Sequence, residues 1–335
     1  MIEVTGLYKR YGTHLAVNDV SFSVEKGEIV GFLGPNGAGK STTMNIITGY
    51  LSLTRGKVVI DGFDILGNPE EAKKRIGYLP EIPPVYVDMT VREYLNFVYD
   101  LKKVRFTKKA HINEIMRLVR IEEVSERLIK HLSKGYRQRV GFAQALVGNP
   151  DILILDEPTV GLDPKQIIEI RELIEKLGKN HTIILSSHIL SEIQAVCKRI
   201  IVINNGKIVA DDTPERLSEK LSEDLSLLAT VVCDGEAMKN ALAEVDGVKE
   251  VAFEESEEDS AYDFVITPEG DDDIRREIFR CVAENGGEML SFTDNKMTLE
   301  QIFLKLTENA QPDEQELDGE EYGEAIEETE EEGEE

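Results

Sequence analysis

One octapeptide restricts this chain more than any bulk property does. Gly34-Pro-Asn-Gly-Ala-Gly-Lys-Ser41 satisfies the pattern G-x-x-x-x-G-K-[ST], between an apolar run, Glu28-Ile-Val-Gly-Phe-Leu33, and a helix-forming run from Thr42 to Thr48. Strand, glycine-rich turn and helix in that order predict a loop built to hold phosphate. Gly34, Gly37 and Gly39 let the backbone curl so that successive N–H groups face one anion, and the following helix adds the positive end of its dipole. Pro35, Asn36 and Ala38 complete the loop, and Thr42 opens the helix. Lys40 supplies a mobile point charge for terminal phosphates, and Ser41 a hydroxyl for Mg²⁺.

The rest of the first two thirds agrees with such a loop. Short apolar runs recur at Ile152-Leu-Ile-Leu155, Thr182-Ile-Ile-Leu185 and Ile200-Ile-Val-Ile203, alternating with helix-length patterns such as Pro164 to Leu177. Continuously apolar strands between helices predict an α/β fold whose parallel sheet is covered on both faces. The stretch around 85–145 reads as a helical insert. In Asp151-Ile-Leu-Ile-Leu-Asp-Glu157 two carboxylates stand at the carboxyl end of a buried strand, the edge where open α/β sheets bind ligands. Asp156 is expected to hold Mg²⁺ through water, and Glu157 to accept a proton from water attacking a terminal phosphate. A pair of acids merely capping a strand is the alternative.

Five motifs together carry a resemblance. The phosphate loop and the Asp-Glu strand are joined by Leu132-Ser-Lys-Gly-Tyr136, Gly161-Leu-Asp-Pro164 and His188, in the order and spacing of ATP-binding cassette (ABC) transporter ATPases, over about residues 2–215. The resemblance implies a P-loop ATPase with ATP and Mg²⁺ as cofactors, working as a head-to-tail pair with a second ATPase subunit. Two ATP molecules are then sandwiched, each between one chain's loop and the other chain's signature. It implies that Ser133, Lys134, Gly135 and Tyr136 meet the partner's nucleotide, that Asp163 lies at the dimer seam, and that His188 touches the γ-phosphate. Tyr11 matches the position that stacks on adenine, with a packing tyrosine as the alternative. His14, His111, His131 and His181 are read as ordinary surface or core residues.

Two motifs depart from the family pattern. A glutamine that contacts Mg²⁺, where the membrane subunit docks, is replaced by Glu81, and the usual Leu-Ser-Gly-Gly-Gln reads Leu-Ser-Lys-Gly-Tyr. Neither change removes the Ser133 hydroxyl or Gly135, so an active ATPase is expected. The same substitutions with a C-terminal extension are similar to exporter-type members such as bacterial drug-export and gliding-motility ATPases.

After about residue 222 the order reads strand, helix, strand, strand, helix, strand, which predicts a small α+β ferredoxin-like domain over 222–310. Residues 311–335 carry 14 Asp+Glu and no Lys or Arg, and read as a disordered acidic tail. Charge follows the same division: the net charge is +2 over residues 1–215 and −15 over 216–310. An acidic C-terminal region repels phosphate backbones, so no nucleic-acid partner is expected. Three scattered cysteines offer no metal spacing, and no apolar run is long enough to span a bilayer. The expected protein is therefore a cytoplasmic ATPase, peripheral on the inner face of the membrane through a separately encoded permease. A soluble cassette ATPase serving ribosomes, DNA or an assembly complex is the alternative; one phosphate loop and no heptad arm argue against it.

Overall fold

The computed structural model describes residues 1–221, 226–256, 258, 260–270, 273–295 and 299–308. The chain opens with β1 (Ile2–Tyr11), β2 (His14–Val24) and β3 (Ile29–Leu33), followed by α1 (Lys40–Ile47), β4 (Arg55–Ile60), β5 (Phe63–Asp64), α2 (Pro69–Lys74) and β6 (Ile76–Leu79). Three helices follow, α3 (Val91–Leu101), α4 (Lys108–Leu118) and α5 (Lys134–Leu146), and account for the expected insert. The unit continues with β7 (Ile152–Asp156), α6 (Pro164–Gly178), β8 (Thr182–Ser187), α7 (Leu190–Val196), β9 (Arg199–Asn204), β10 (Lys207–Asp212) and α8 (Pro214–Leu221).

Six strands form the central sheet in the order β10-β9-β3-β8-β7-β6, parallel except for β10, which pairs antiparallel with β9. Its apolar strands feed two cores by strict alternation. Val30, Phe32, Ile154, Ile184 and Ile201 face one core, while Leu153, Leu155, Ile183, Leu185 and Val202 face the other. Period-2 side chains buried on both faces explain why these runs read as unbroken apolar stretches. Helices of the insert, α6 and α7 cover the second face.

Covering the first face are α1 and an antiparallel sheet, ordered β2-β1-β4-β5, that sequence reading did not anticipate. Its alternation is broken by register shifts between Val4 and Leu7, with Gly6 at φ 53 and Asp19 at φ 54. A bulge moves the next residues to the other face, so the strand no longer shows a clean period of two.

The second unit runs β11 (Ser226–Val232), α9 (Gly235–Ala243), β12 (Val248–Glu255), β13 (Ala261–Pro268), α10 (Arg275–Glu284) and β14 (Glu288–Asn295). Its four-stranded antiparallel sheet has the order β12-β13-β11-β14, a ferredoxin-like arrangement, and Phe264, Ile266, Val231, Leu242 and Ile278 form its core. The expected boundary at 222–310 needs correction. The last helix, α11 (Leu299–Glu308), returns to the first unit: Phe303 packs on the core beneath the insert, and the Thr307 carbonyl accepts the Asn204 side-chain N–H at 2.9 Å. With Leu217 of α8 buried in the same core, the first unit reaches past residue 215. Packing, not sequence proximity, assigns α11 to the first unit. The expected acidic tail lies outside the described residues.

Candidate active site

A cleft of about 520 Å³ opens at the carboxyl edge of the central sheet, lined among others by Tyr11, Asn36, Gly37, Gly39, Lys40, Ser41, Thr42, Glu81, Glu157 and His188. Residues from five separate segments meet there: four follow β3, β6, β7 and β8, which run parallel and release their loops at one edge, and the fifth is the β1–β2 hairpin of the antiparallel sheet.

The phosphate loop is shaped by two kinds of glycine requirement. Gly34 needs no unusual dihedral, yet a β-carbon there would stand 2.3 Å from the Ile203 carbonyl, so the next strand's backbone excludes any side chain. Gly39 combines φ +103 with a would-be β-carbon 2.6 Å from the Ala16 carbonyl. As the N-cap of α1 it provides no side-chain cap, and no acidic residue stands in the first turn. The N–H groups of that turn therefore remain available to an anion.

Lys40 is only 6% exposed, and its Nζ donates to the carbonyls of Gly34 (2.8 Å) and Pro35 (3.1 Å) while lying 3.5 Å from Glu157 Oε1. Glu157 has a left-handed backbone at φ 48, a conformation that costs a non-glycine residue about 1–3 kcal/mol and signals a functional constraint. Its N–H donates to Ser186, and its Oε2 lies 2.9 Å from His188 Nδ1. A carboxylate only accepts, so Nδ1 is the donor in this contact. Glu157 is thus clamped between an ammonium and an imidazole.

Asp156, at the end of β7, is buried and accepts a hydrogen bond from the Ser186 hydroxyl. Its charge also reaches Tyr78: burial first, then Asp156, pushes that phenol above its ordinary range, and the hydroxyl donates to Asn45 Oδ1 at 3.0 Å. Ser41 and Glu81 line the cleft itself. One hydroxyl and two carboxylates make an all-oxygen donor set, the kind Mg²⁺ takes. No cluster of three or more His, Cys, Asp or Glu suited to a metal stands among the described residues, so phosphate oxygens or water must complete any such site.

Other expected site residues stand apart from the cleft. Ser133 caps α5, its Oγ accepting the Tyr136 N–H at 3.4 Å, and Asp163 caps α6 by accepting the Gln166 N–H at 2.9 Å. Gly135 lies against the Gln166 carboxamide, and the Lys134 ammonium sits over Gly161. Tyr136 donates to Glu123, and that hydrogen bond raises its phenol. These groups cluster around the first turns of α5 and α6 and do not line the cleft.

His14, Ala16 and Val160 also line the cleft, and sequence reading did not assign them there. His14 faces Tyr11 across the β1–β2 hairpin, so recognition of the Gly12-Thr13 turn was the signal that could have found it.

Residues 17–160 match the family described as ABC transporter. The bacitracin transport ATP-binding protein BcrA of Bacillus licheniformis is 33% identical over 314 residues, covering 91% of this chain and 97% of that protein. The linearmycin resistance ATP-binding protein LnrL of Bacillus subtilis (strain 168) is 32% identical over 311 residues, covering 92% and 98%. The chain belongs to the ABC transporter ATP-binding family. The fold agrees with a dimeric ATP-binding cassette in a post-hydrolysis state bound to ADP and Pi, at TM-score 0.59 and 26% identity over 64% of this chain and 98% of that one. This ABC cassette is accordingly an ATP-binding and ATP-hydrolysing subunit. Both relatives extend over the C-terminal unit, whereas the solved cassette corresponds to the first unit in extent.

Proposed function

We propose that the chain powers an exporter whose permease is a separate protein, hydrolysing Mg²⁺-ATP as one half of a head-to-tail pair. The observation that carries this reading is the convergence of Tyr11, the phosphate loop, Glu81, Glu157 and His188 on one cleft. Tyr11, nearly half exposed at the rim, stacks on adenine, and the N–H groups from Asn36 to Thr42 bind the phosphates. Lys40 exchanges its loop carbonyls for phosphate oxygens. Glu157 then accepts a proton from the attacking water as ATP and water become ADP and phosphate, while His188 holds Glu157 through Nδ1 and meets the terminal phosphate through Nε2. Ser41, Glu81 and Asp156 would hold Mg²⁺, which would supply positive charge to offset that of the phosphates. Ser133, Lys134, Gly135 and Tyr136 close on the partner's nucleotide, with Asp163 at the seam.

Just beyond Glu81, Ile82, Tyr86, Val87 and Phe97 are exposed together, with Tyr86 and Phe97 in edge contact at 5.4 Å between ring centres. An apolar patch next to the nucleotide cleft supports docking of the permease at that place. No helix among the described residues is long and apolar enough to cross a membrane, which fits attachment to the inner face through that partner. Relatives named for bacitracin transport and linearmycin resistance support export.

Glu157→Gln tests the core of the proposal. Turnover is expected to fall by about 10² to 10⁴, the worth of a positioned general base, with ATP binding retained. Near-normal turnover removes Glu157 from the reaction.

A further inference from the structure

The contact between His188 Nδ1 and Glu157 Oε2 joins two loops that leave different strands, β8 and β7. Nothing in either loop alone holds that contact. Glu157 sits at φ 48, so its backbone must be held against its own preference.

The residues flanking both loops converge on a third carboxylate. Glu192, in the first turn of α7, is 5% exposed. Its Oε2 accepts the Thr159 hydroxyl at 2.5 Å and the Ser187 hydroxyl at 3.0 Å. The Ser187 oxygen in turn accepts the Ile189 N–H at 3.0 Å. His188 is therefore tied on both sides, and the same oxygen reaches the chain two residues beyond Glu157. A buried carboxylate is costly, and pairs of apolar residues commonly fill such space with equal or better stability. Retaining a carboxyl group here is explained by geometry, since a single oxygen that accepts from both loops sets the distance between them.

We propose that Glu192 is a positioning residue of the hydrolysis reaction, holding Glu157 and His188 in register by binding the Thr159 and Ser187 hydroxyls to one oxygen. This inference rests on the roles proposed above for Glu157 and His188. Glu192 touches neither nucleotide nor water and acts only through the two loops.

The test uses the full-length protein, with turnover corrected for the folded fraction measured in thermal melts. Glu192→Ala is expected to lower kcat about 10²-fold, the effect of misplacing reacting groups by about 1 Å, with little change in KM for ATP. Glu192→Gln keeps an acceptor oxygen and is expected to recover most of that loss. Unchanged kcat per folded molecule in Glu192→Ala, or a glutamine no better than alanine, overturns the inference. Where Glu192→Ala does not fold, Thr159→Ala and Ser187→Ala remove the same bonds singly. Their effects on kcat are expected to be non-additive with Glu192→Gln, and strictly additive effects overturn the inference. Glu157→Gln separates the two levels: full turnover there defeats the underlying reading, whereas a Glu157→Gln that has lost turnover beside a Glu192→Ala of normal turnover defeats only the positioning role.

Discussion

In the first unit the buried side chains include Lys40, Asp156, Glu157 and Glu192, and each is held by a polar partner. Among the described residues of 226–295, by contrast, Ser226 is the only buried polar side chain, and the rest of the interior is apolar. Both units fold around alternating strands, yet only one accepts the desolvation of ionised groups. Such groups lower stability unless paired, so their concentration at one sheet edge marks where chemistry has outweighed stability. The acidic sandwich, with its charges on the outside, has the composition of a unit selected for folding, solubility and contact.

Three measurements press on that contrast. The largest effect on nucleotide binding is expected from Gly39→Ala, where a positive φ and the Ala16 carbonyl oppose a methyl group. A strain of about 1–3 kcal/mol corresponds to about tenfold or more in affinity, read by titration with a fluorescent ATP analogue; unchanged affinity argues that the loop geometry does not govern binding.

Next is Phe264→Ala in the second core, where the ring is fully buried. It is expected to cost about 3–5 kcal/mol, seen as early cleavage of the second unit in limited proteolysis. ATPase turnover should stay within about twofold, because distant sites act independently. A large fall in turnover breaks the division between the units and makes the sandwich part of the catalytic cycle.

The smallest effect is pH-dependent. His111 Nε2 accepts the Gly148 N–H at 3.0 Å, which a protonated ring cannot do. Burial, the larger influence, and Lys102 push the imidazole below its ordinary value, whereas Glu114 opposes them. A folded pKa below the unfolded one means the unfolded chain binds the proton first, so the contribution is complete above about pH 6.5 and lost as pH falls below it. His111→Gln is expected to flatten the stability curve between about pH 5 and 7. An equally steep slope shifts the cause to another group.

How much was legible in the sequence depended on how local each signal is. The phosphate loop, the Asp156-Glu157 strand end and the alternation of short apolar strands with helices are encoded within about ten residues each, and the structure carries them at one sheet edge. The sheet formed by β1, β2, β4 and β5 escaped notice because bulges interrupt its period. His14 escaped because it reaches the cleft only by pairing across a hairpin, and Glu192 because neither hydroxyl it binds is recognisable as a partner from spacing alone.

The order of residues by itself determined the anion-holding turn, the fold class and the identity of the groups able to handle a triphosphate, since dihedral freedom, helix polarity and side-chain chemistry are local properties. Only the tertiary structure decided that Lys40 and His188 grip the same carboxylate, that Glu192 spans two loops, and that α11 returns to the first unit. Those outcomes follow from which strand ends lie side by side and which apolar faces remain open after the sheet has formed, and neither is written within any single segment.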